Sequence, residues 1–364
     1  MVDIHLAFNR FKHARAVGDR DFVAYVTIIC LLVLCPLSAS VALSIGPVSV
    51  DIFGVIDGLI SGEEASGLGL RDRIILMDIR LPRVLLGLLV GGSQAVAGAM
   101  LQGLFRNPLA DPGLVGVSSG AALAAVIMIV LGDRFFAGFI KTFSVFALPI
   151  AAIAGGLVTT YALYRIATHQ GRTSTATMLL AGIAIGALAG AVTGILVFVS
   201  TDQQLRDLTF WSLGSLGGAT WPKLIAVLPF ILPLFVVFPL VARGLNGLLL
   251  GEAAAHHIGI NVQTIKRITI LCVALAVGAS VAVTGVIGFV GIVVPHLLRL
   301  IIGPDHRYLL PCSLLFGGML LLLADSISRI VVTPAELPIG IVTAVLGAPF
   351  FLWLLLRQKA LFDV

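Results

Sequence analysis

Val90-Gly91-Gly92-Ser93-Gln94-Ala95-Val96-Ala97-Gly98 recurs 187 positions later as Val277-Gly278-Ala279-Ser280-Val281-Ala282-Val283-Thr284-Gly285. Neither copy holds a charge, and each sits in a longer apolar run, about 82–104 and 267–287. A helix of about 20 apolar residues crosses the hydrocarbon layer of a bilayer. Further runs lie near 22–45, 114–132, 144–166, 177–199, 222–243, 288–303, 310–331 and 337–356, which makes ten in all. The two copies fall in the second and seventh runs. Five is an odd number of crossings, so the halves traverse the bilayer in opposite senses. Inverted repeats are a common plan for transporters, because two similar bundles about an in-plane axis can open to either side. A weaker echo pairs Gly182-Ile183 with Gly340-Ile341, and chance similarity between small-residue helices is the competing explanation.

Composition agrees with spanning helices. Of 364 residues 59% are hydrophobic and 11% charged, against about a quarter charged in soluble domains. The expected fold is all-α and polytopic, with residues 1–21 a cytoplasmic segment and 22–364 one transmembrane domain. Loops of this length leave no room for a soluble catalytic domain, and no catalytic residue or metal site is expected. The net charge of +5 comes from Lys and Arg scattered over loops and helix ends. That distribution reflects topology and not a nucleic-acid partner. Cys30, Cys35, Cys272 and Cys312 lie in or beside apolar runs without metal-ligand spacing and read as packing residues.

Arg10, Lys12, Arg15 and Arg20 precede the first run and place the N-terminus in the cytoplasm by the positive-inside bias. Ser38-Ala39-Ser40 resembles a signal-peptide cleavage site, but the run continues past it, which favours a retained helix. Ten crossings bring the C-terminus, with Arg357 and Lys359, back inside. Inside loops then carry Arg106, Arg165, Arg172, Arg243, Lys266, Arg267 and Arg307. Arg71, Arg73, Arg80, Arg83, Arg206 and Arg329 fall outside, against the bias, and need another reason.

Gly182, Gly186, Gly190 and Gly194 recur every fourth residue of the fifth run. Such a ladder permits close helix packing, or it forms a smooth wall of a pathway; the two are compatible. Polar residues within runs are few. Asp325 is the one serious candidate for ion coupling, and Arg329 one turn on makes an i,i+4 salt bridge the better reading. A secondary carrier driven by an ion gradient is therefore disfavoured. No GxxxxGK[ST] sequence occurs, so ATP is not bound through a P-loop of this chain. The stretch Leu250-Gly251-Glu252-Ala253-Ala254-Ala255-His256-His257-Ile258-Gly259, within a cytoplasmic segment of about 244–265, predicts two short helices around Gly251 capped at Gly259. This is either a knob that docks a motor protein or a plain connector. His256 and His257 are adjacent and cannot form an i,i+4 metal pair. His296, after Pro295, reads as a hydrogen-bonded helix-start residue before it reads as a substrate ligand.

Assembled, these residues resemble the FecCD-like permeases of bacterial ABC importers for iron-siderophores, vitamin B12 and haem. The likeness runs through Arg80-Leu81-Pro82-Arg83, Leu101-Gln102-Gly103-Leu104-Phe105-Arg106-Asn107-Pro108-Leu109-Ala110-Asp111-Pro112-Gly113, Gly288-Phe289-Val290-Gly291, Val294-Pro295-His296, Gly303-Pro304-Asp305-His306-Arg307 and Pro334-Ala335-Glu336-Leu337-Pro338-Ile339-Gly340. The resemblance implies the type II importer permease fold, working as a homodimer in the inner membrane with two ATPase subunits and a periplasmic binding protein. It implies that Arg80, Arg83 and Arg329, read as exposed, meet acidic residues of that binding protein. It also implies that Leu250, Gly251, Glu252, Ala255 and Gly259 engage the ATPase, and that Thr173, Ser174 and Thr175 form an inner gate. A short outward helix is expected after the fifth span. The run from Asp202 to Gly217, and Met178 to Ala184, look most like haem permeases, although Gly186 stands where asparagine is usual. On that likeness haem is the cargo, with no permanently bound cofactor and ATP held by the partner. Gly182, Gly186 and Gly190 then line the path. Arg206 either pairs with a haem propionate or forms a local ion pair with Asp202 or Asp207.

Overall fold

In lipid every backbone N–H and C=O must find its partner within the protein, so uncharged apolar runs become helices. The computed structural model describes residues 20–46, 48–51, 54–55, 68–113, 116–169, 172–333 and 335–362. Arg10, Lys12, Arg15 and Pro334 lie outside the described residues, as does the expected cytoplasmic segment up to residue 19.

The helices are α1 (Arg20–Ser44), α2 (Leu68–Ile74), α3 (Leu81–Phe105), α4 (Val117–Phe135), α5 (Ala137–Phe143), α6 (Ala147–Ala167), α7 (Thr175–Phe198), α8 (Asp202–Ser212), α9 (Trp221–Leu249), α10 (Glu252–His257), α11 (Val262–Thr284), α12 (Val290–Ile302), α13 (His306–Ile330) and α14 (Ile339–Phe362). Each of the ten apolar runs coincides with one of them. Among the described residues, eight helical segments are long and apolar enough to cross a membrane, and α12 and the described apolar stretch 339–353 of α14 are shorter. The short helix expected after the fifth span is α8. The end of the bundle carrying Arg106, Arg165, Arg243 and Arg267 is here called inner, and the opposite end outer.

Four local expectations change. The ninth helix continues to Leu249, so the stretch around Gly251 contributes one short helix, α10, and not two. The join between the seventh and eighth runs, expected at 287/288, resolves as a break from Gly285 to Phe289, both at positive φ. An unexpected extension precedes the second span, in which α2 passes through a π-helical turn, Ile75–Arg80, into α3. Finally, two-residue strands β1 (Thr168–His169) and β2 (Arg172–Thr173) pair antiparallel between α6 and α7.

Helix α3 is the axle of the bundle and touches α9, α11, α12 and α13. Small residues allow these approaches. A Cβ on Gly98 would collide with the Gly291 carbonyl, and one on Gly91 with the Gly317 carbonyl. The repeat is visible in the packing: Gly91 of α3 abuts α13, while its counterpart Gly278 of α11 abuts Ile153 of α6. The second and ninth spans thus meet as the seventh and fourth do. Cys30, Cys35, Cys272 and Cys312 are all free thiols.

Candidate functional site

At the outer end of the bundle the three expected docking arginines are buried, not exposed. Arg83 forks onto Asp325 and Glu336, each at 2.9 Å. Arg329 pairs with Asp325 at 2.9 Å, the i,i+4 bridge expected from sequence, and donates to the carbonyls of Ile45 and Ala42. Arg80 donates to the Leu43 carbonyl at 2.6 Å and to those of Ser44 and Val48. The last carbonyls of a helix have no intrahelical partner and attract cations. Arg80 and Arg329 therefore cap the C-terminus of α1, which explains their position against the charge bias. Asp325 is fully buried and held by two guanidinium groups, an arrangement unsuited to an ion-coupling carboxylate.

Below this cluster lies the Gly285–Phe289 break. Helix α12 has 13 residues, about 20 Å at about 1.5 Å per residue, which is less than the ~30 Å hydrocarbon core. The break is therefore inside the protein, where irregular backbone persists only if buried or lining a cavity. The break lines a cavity and is partly covered, Gly285 and Ile287 being buried and Val286 exposed. Ser215 N–H donates to the Thr284 carbonyl at 2.8 Å, and Ile339 N–H to Gly214 at 2.9 Å. A cavity of about 330 Å³ opens beside them, lined by Ser212, Leu213, Gly288, Phe289, Gly340 and Ile341 among others. Sequence reasoning quoted Gly288 and Phe289 but gave them no role; the uncharged join between two runs was the available signal.

The glycine ladder divides along its length. Gly182 is buried beside Gly116, and Gly186 faces Ser119, but nothing stands within 4 Å of a Cβ built on Gly190 or Gly194. A four-residue step on a helix of about 3.6 residues per turn drifts by about 40°, enough to carry the row from a packed face to an open one. Helix α7 presents Leu180, Ile183, Leu188, Ile195 and Phe198 outward as well. Arg206 is exposed on α8 and forms no ion pair with Asp202 or Asp207. His296 lies mid-helix in α12, edge-on to Phe350 at 6.0 Å, with neither ring nitrogen hydrogen-bonded, which corrects the expectation of a bonded helix-start histidine.

On the inner face a cavity of about 970 Å³ brings together Arg106, Thr173, Glu252, His256, Gly259 and Gln263. One expected gate residue and two expected coupling residues thus share a wall. Ser174 caps α7, its hydroxyl accepting from Thr177 N–H at 3.2 Å, and α7 starts at Thr175. Helix α10 is set off by Gly251 (φ 107°) and Gly259 (φ 85°), backbone angles that favour glycine. It is tied to α11 by a 2.7 Å bridge from Lys266 to Glu252. Ala255 is buried beneath, while Leu250 (71% exposed) and Ile258 (61%) stand out at its two ends. His256 and His257 cross edge to face with centroids 6.5 Å apart, and no metal-binding cluster occurs among the described residues. Asp305 caps α13 nearby. Burial pushes its carboxyl up, but bonds from Arg307 and Asn246 outweigh this and hold it below the usual carboxylate range.

A many-spanned bundle built on an inverted repeat, with irregular backbone lining a cavity between its seventh and eighth spans, follows the plan of a transporter permease. More specifically, the chain belongs to the FecCD transport family, which matches residues 30–357. It is 48% identical over 285 residues to the hemin transport system permease protein of Yersinia pestis, covering 78% of this chain and 84% of that one. It is 46% identical over 283 residues to the cobalamin import system permease protein of Halobacterium salinarum, covering 78% and 73%. A solved structure described as an inward-facing metal-chelate type ABC transporter superposes with TM-score 0.76 at 30% identity, covering 91% of this chain and 98% of that one. The protein is an ABC importer permease.

Proposed function

We propose that the cargo is haem, delivered by a periplasmic binding protein and moved across the bacterial inner membrane as partner ATPases bind and hydrolyse ATP. The observation that carries this reading is Arg206, a cation on α8 without an ion-pair partner among the described residues; the last residue of that helix, Ser212, lines an otherwise apolar cavity. Haem presents the complement, a flat apolar ring with two propionates. The similarity to the hemin permease supports it. The cobalamin permeases are nearly as similar and keep a corrinoid as the second reading, with a ferric siderophore behind it.

In this proposal two copies pair through the open faces of α7 and α14, and the path between them runs past Gly182, Gly186 and Gly190. Two ATPase subunits seat on Leu250, Gly251, Glu252, Ala255 and Gly259, with Thr173, Ser174 and Thr175 closing the inner mouth. Both termini face the cytoplasm, and the permease itself performs no covalent chemistry. The binding protein docks over the outer cluster. Since Arg80, Arg83 and Arg329 are already engaged, docking through them requires acidic residues of the partner to exchange with present acceptors such as Glu336, whose side chain is 35% exposed.

The deciding experiment is uptake into vesicles holding the permease with its ATPase and binding protein, offered hemin, cobalamin and a ferric siderophore in turn. ATP-dependent hemin uptake that falls with Arg206→Ala and recovers with Arg206→Lys is the expected result. Cobalamin or siderophore uptake without hemin uptake overturns the choice of cargo, and uptake without ATPase overturns the mechanism.

A further inference from the structure

We propose that a groove between α6 and α11, at the inner end of the bundle, binds an anionic phospholipid of the inner leaflet. A cavity of about 380 Å³ lies there, lined by Leu157, Tyr161, Tyr164, Arg165, Arg267 and Leu271 among others. The two helices are adjacent and antiparallel in the chain's topology, α6 descending to the inner end and α11 rising from it. Their lining residues are therefore graded in the same direction. Leu157, Tyr161, Tyr164 and Arg165 share one face of α6 at i, i+4, i+7 and i+8 spacing, and Arg267, Leu271 and Ala274 share one face of α11 at i, i+4 and i+7. Both arginines stand at the inner end and both tyrosines above them; deeper in, the lining is aliphatic apart from Thr160, whose hydroxyl donates to the Gly156 carbonyl of its own helix at 2.6 Å. This is the polarity profile of a phospholipid: phosphate, glycerol backbone, acyl chain.

The charges are free for such a ligand. Arg165 and Arg267 are exposed, make no ion pair among the described residues, and share the groove with no carboxylate. Neighbouring cations are spent differently. Lys266 turns inward to Glu252, Arg299 donates to Gln102, and Arg307 pairs with Asp305. Two guanidinium groups at one mouth suit a phosphate, which they bind through forked hydrogen bonds. Tyrosine is favoured at the headgroup level, where its ring is apolar and its hydroxyl wet. The Tyr164 hydroxyl is 3.4 Å from Gln263, which leaves Tyr161, 64% exposed, turned to the surroundings. Basic pockets between helices on the cytoplasmic side are where anionic headgroups bind. A free phosphate would satisfy the arginines and leave the aliphatic floor uncovered; a lipid covers both. The inference does not depend on which cargo is carried.

The test uses the full-length permease, delipidated in neutral detergent and offered phosphatidylglycerol and phosphatidylcholine of identical chains, with retained lipid counted by native mass spectrometry. Wild type should retain phosphatidylglycerol in preference by roughly thirtyfold, as expected for two basic residues at the headgroup level. The double variant Arg165→Gln/Arg267→Gln should lose the preference and Arg165→Lys/Arg267→Lys keep most of it. Leu271→Trp, which fills the groove and leaves both charges, should lose retention too, and it serves as the second probe if the double variant does not fold. Equal retention of the two lipids by wild type overturns the proposal. A preference that survives in Leu271→Trp reduces it to surface charge, and displacement of the lipid by millimolar inorganic phosphate alone makes the site one for a free anion.

Discussion

The Ser93 hydroxyl lies 3.1 Å from the hydroxyl of Ser280, its counterpart 187 residues further along the chain. Equivalent residues of two repeats can touch only where the pseudo-symmetry axis passes, so this contact marks the axis. Both side chains are fully buried. Each hydroxyl also lies within reach of a carbonyl of its own helix, Ser93 of Val90 at 2.9 Å and Ser280 of Ala276 at 2.7 Å, and since each has a single proton, one donates across the axis while the other keeps its own-helix bond. The hydroxyls are therefore not orphaned when the partner is removed, and the pair adds a modest amount. A double-mutant cycle of Ser93→Ala and Ser280→Ala, read by thermal unfolding in detergent, should give a coupling of about 0.6 kcal/mol, typical of hydrogen bonds between membrane helices. Zero coupling would show that the hydroxyls do not meet.

The glycines of the axle and those of the ladder should respond oppositely to the same change. Gly98→Ala drives a methyl group into the Gly291 carbonyl, and backbone cannot give way as a flexible side chain can. Its cost should fall in or above the range of about 1–3 kcal/mol for overpacking, seen as lost folded yield. Gly190→Ala meets nothing within 4 Å and should leave folding unchanged. If Gly190 lines the path, Gly190→Leu should slow uptake while the unfolding temperature holds; uptake at the wild-type rate would remove it from the path.

Arg83 should behave as a structural residue before it behaves as a docking residue. Its removal leaves Asp325, fully buried, with a single guanidinium partner. Breaking a buried pair from one side costs about 3–5 kcal/mol, because the remaining charge has no solvent. Arg83→Gln should accordingly lower the unfolding temperature sharply, whereas Glu336→Gln, with its side chain partly exposed, should do little. Binding-protein affinity is to be measured only on the folded fraction. A fully stable Arg83→Gln would return this residue to the surface role its position in the sequence suggests.

The contrast between these residues shows what the sequence makes legible. The ten helices could be read because each is one uninterrupted stretch, and the pairing of Asp325 with Arg329 because it is local to one helix turn. The partners of Arg83 are 242 and 253 positions away, and those of Arg80 are backbone carbonyls at and just beyond the end of α1. Neither leaves a trace in residue spacing, and so the three arginines looked exposed. The row of glycines was plain, but which end of it faces open space depends on a drift that only the packed neighbours reveal. The apolar pattern places the join between the seventh and eighth runs at 287/288, inside the break, but the extent of the break is not legible because Gly285 to Phe289 carries no charge to interrupt that pattern.

Acid should loosen the inner end of α13. The Asp305 carboxyl is held below its usual range in the folded protein, so its contribution to stability is fully present above the ordinary carboxylate value and is lost as the pH falls through the lower folded value. Asp305→Asn should therefore lower the unfolding temperature at pH 7, and by less at pH 3, the gap narrowing as the pH approaches the lowered folded value. A difference that is the same at both values would assign the effect to lost packing and not to the charge.

Motor coupling is testable apart from folding because the side chains at the tips of the knob are largely exposed. Leu250 and Ile258 are largely exposed and flank α10, while the buried Ala255 and the Lys266–Glu252 bridge hold that helix to the bundle. Exposed apolar side chains on a rigid knob are suited to filling a pocket on a partner, where a few such anchors carry most of the affinity. Leu250→Asp and Ile258→Asp should leave the permease as stable as wild type, yet release the ATPase during purification and abolish ATP-driven uptake. Lys266→Met should show a different pattern, since the helix loses its tie but keeps its tips: the ATPase stays bound less tightly, and uptake falls in proportion to how far α10 is freed. If both classes of variant transport normally, α10 is a plain connector and the motor seats elsewhere on the inner face.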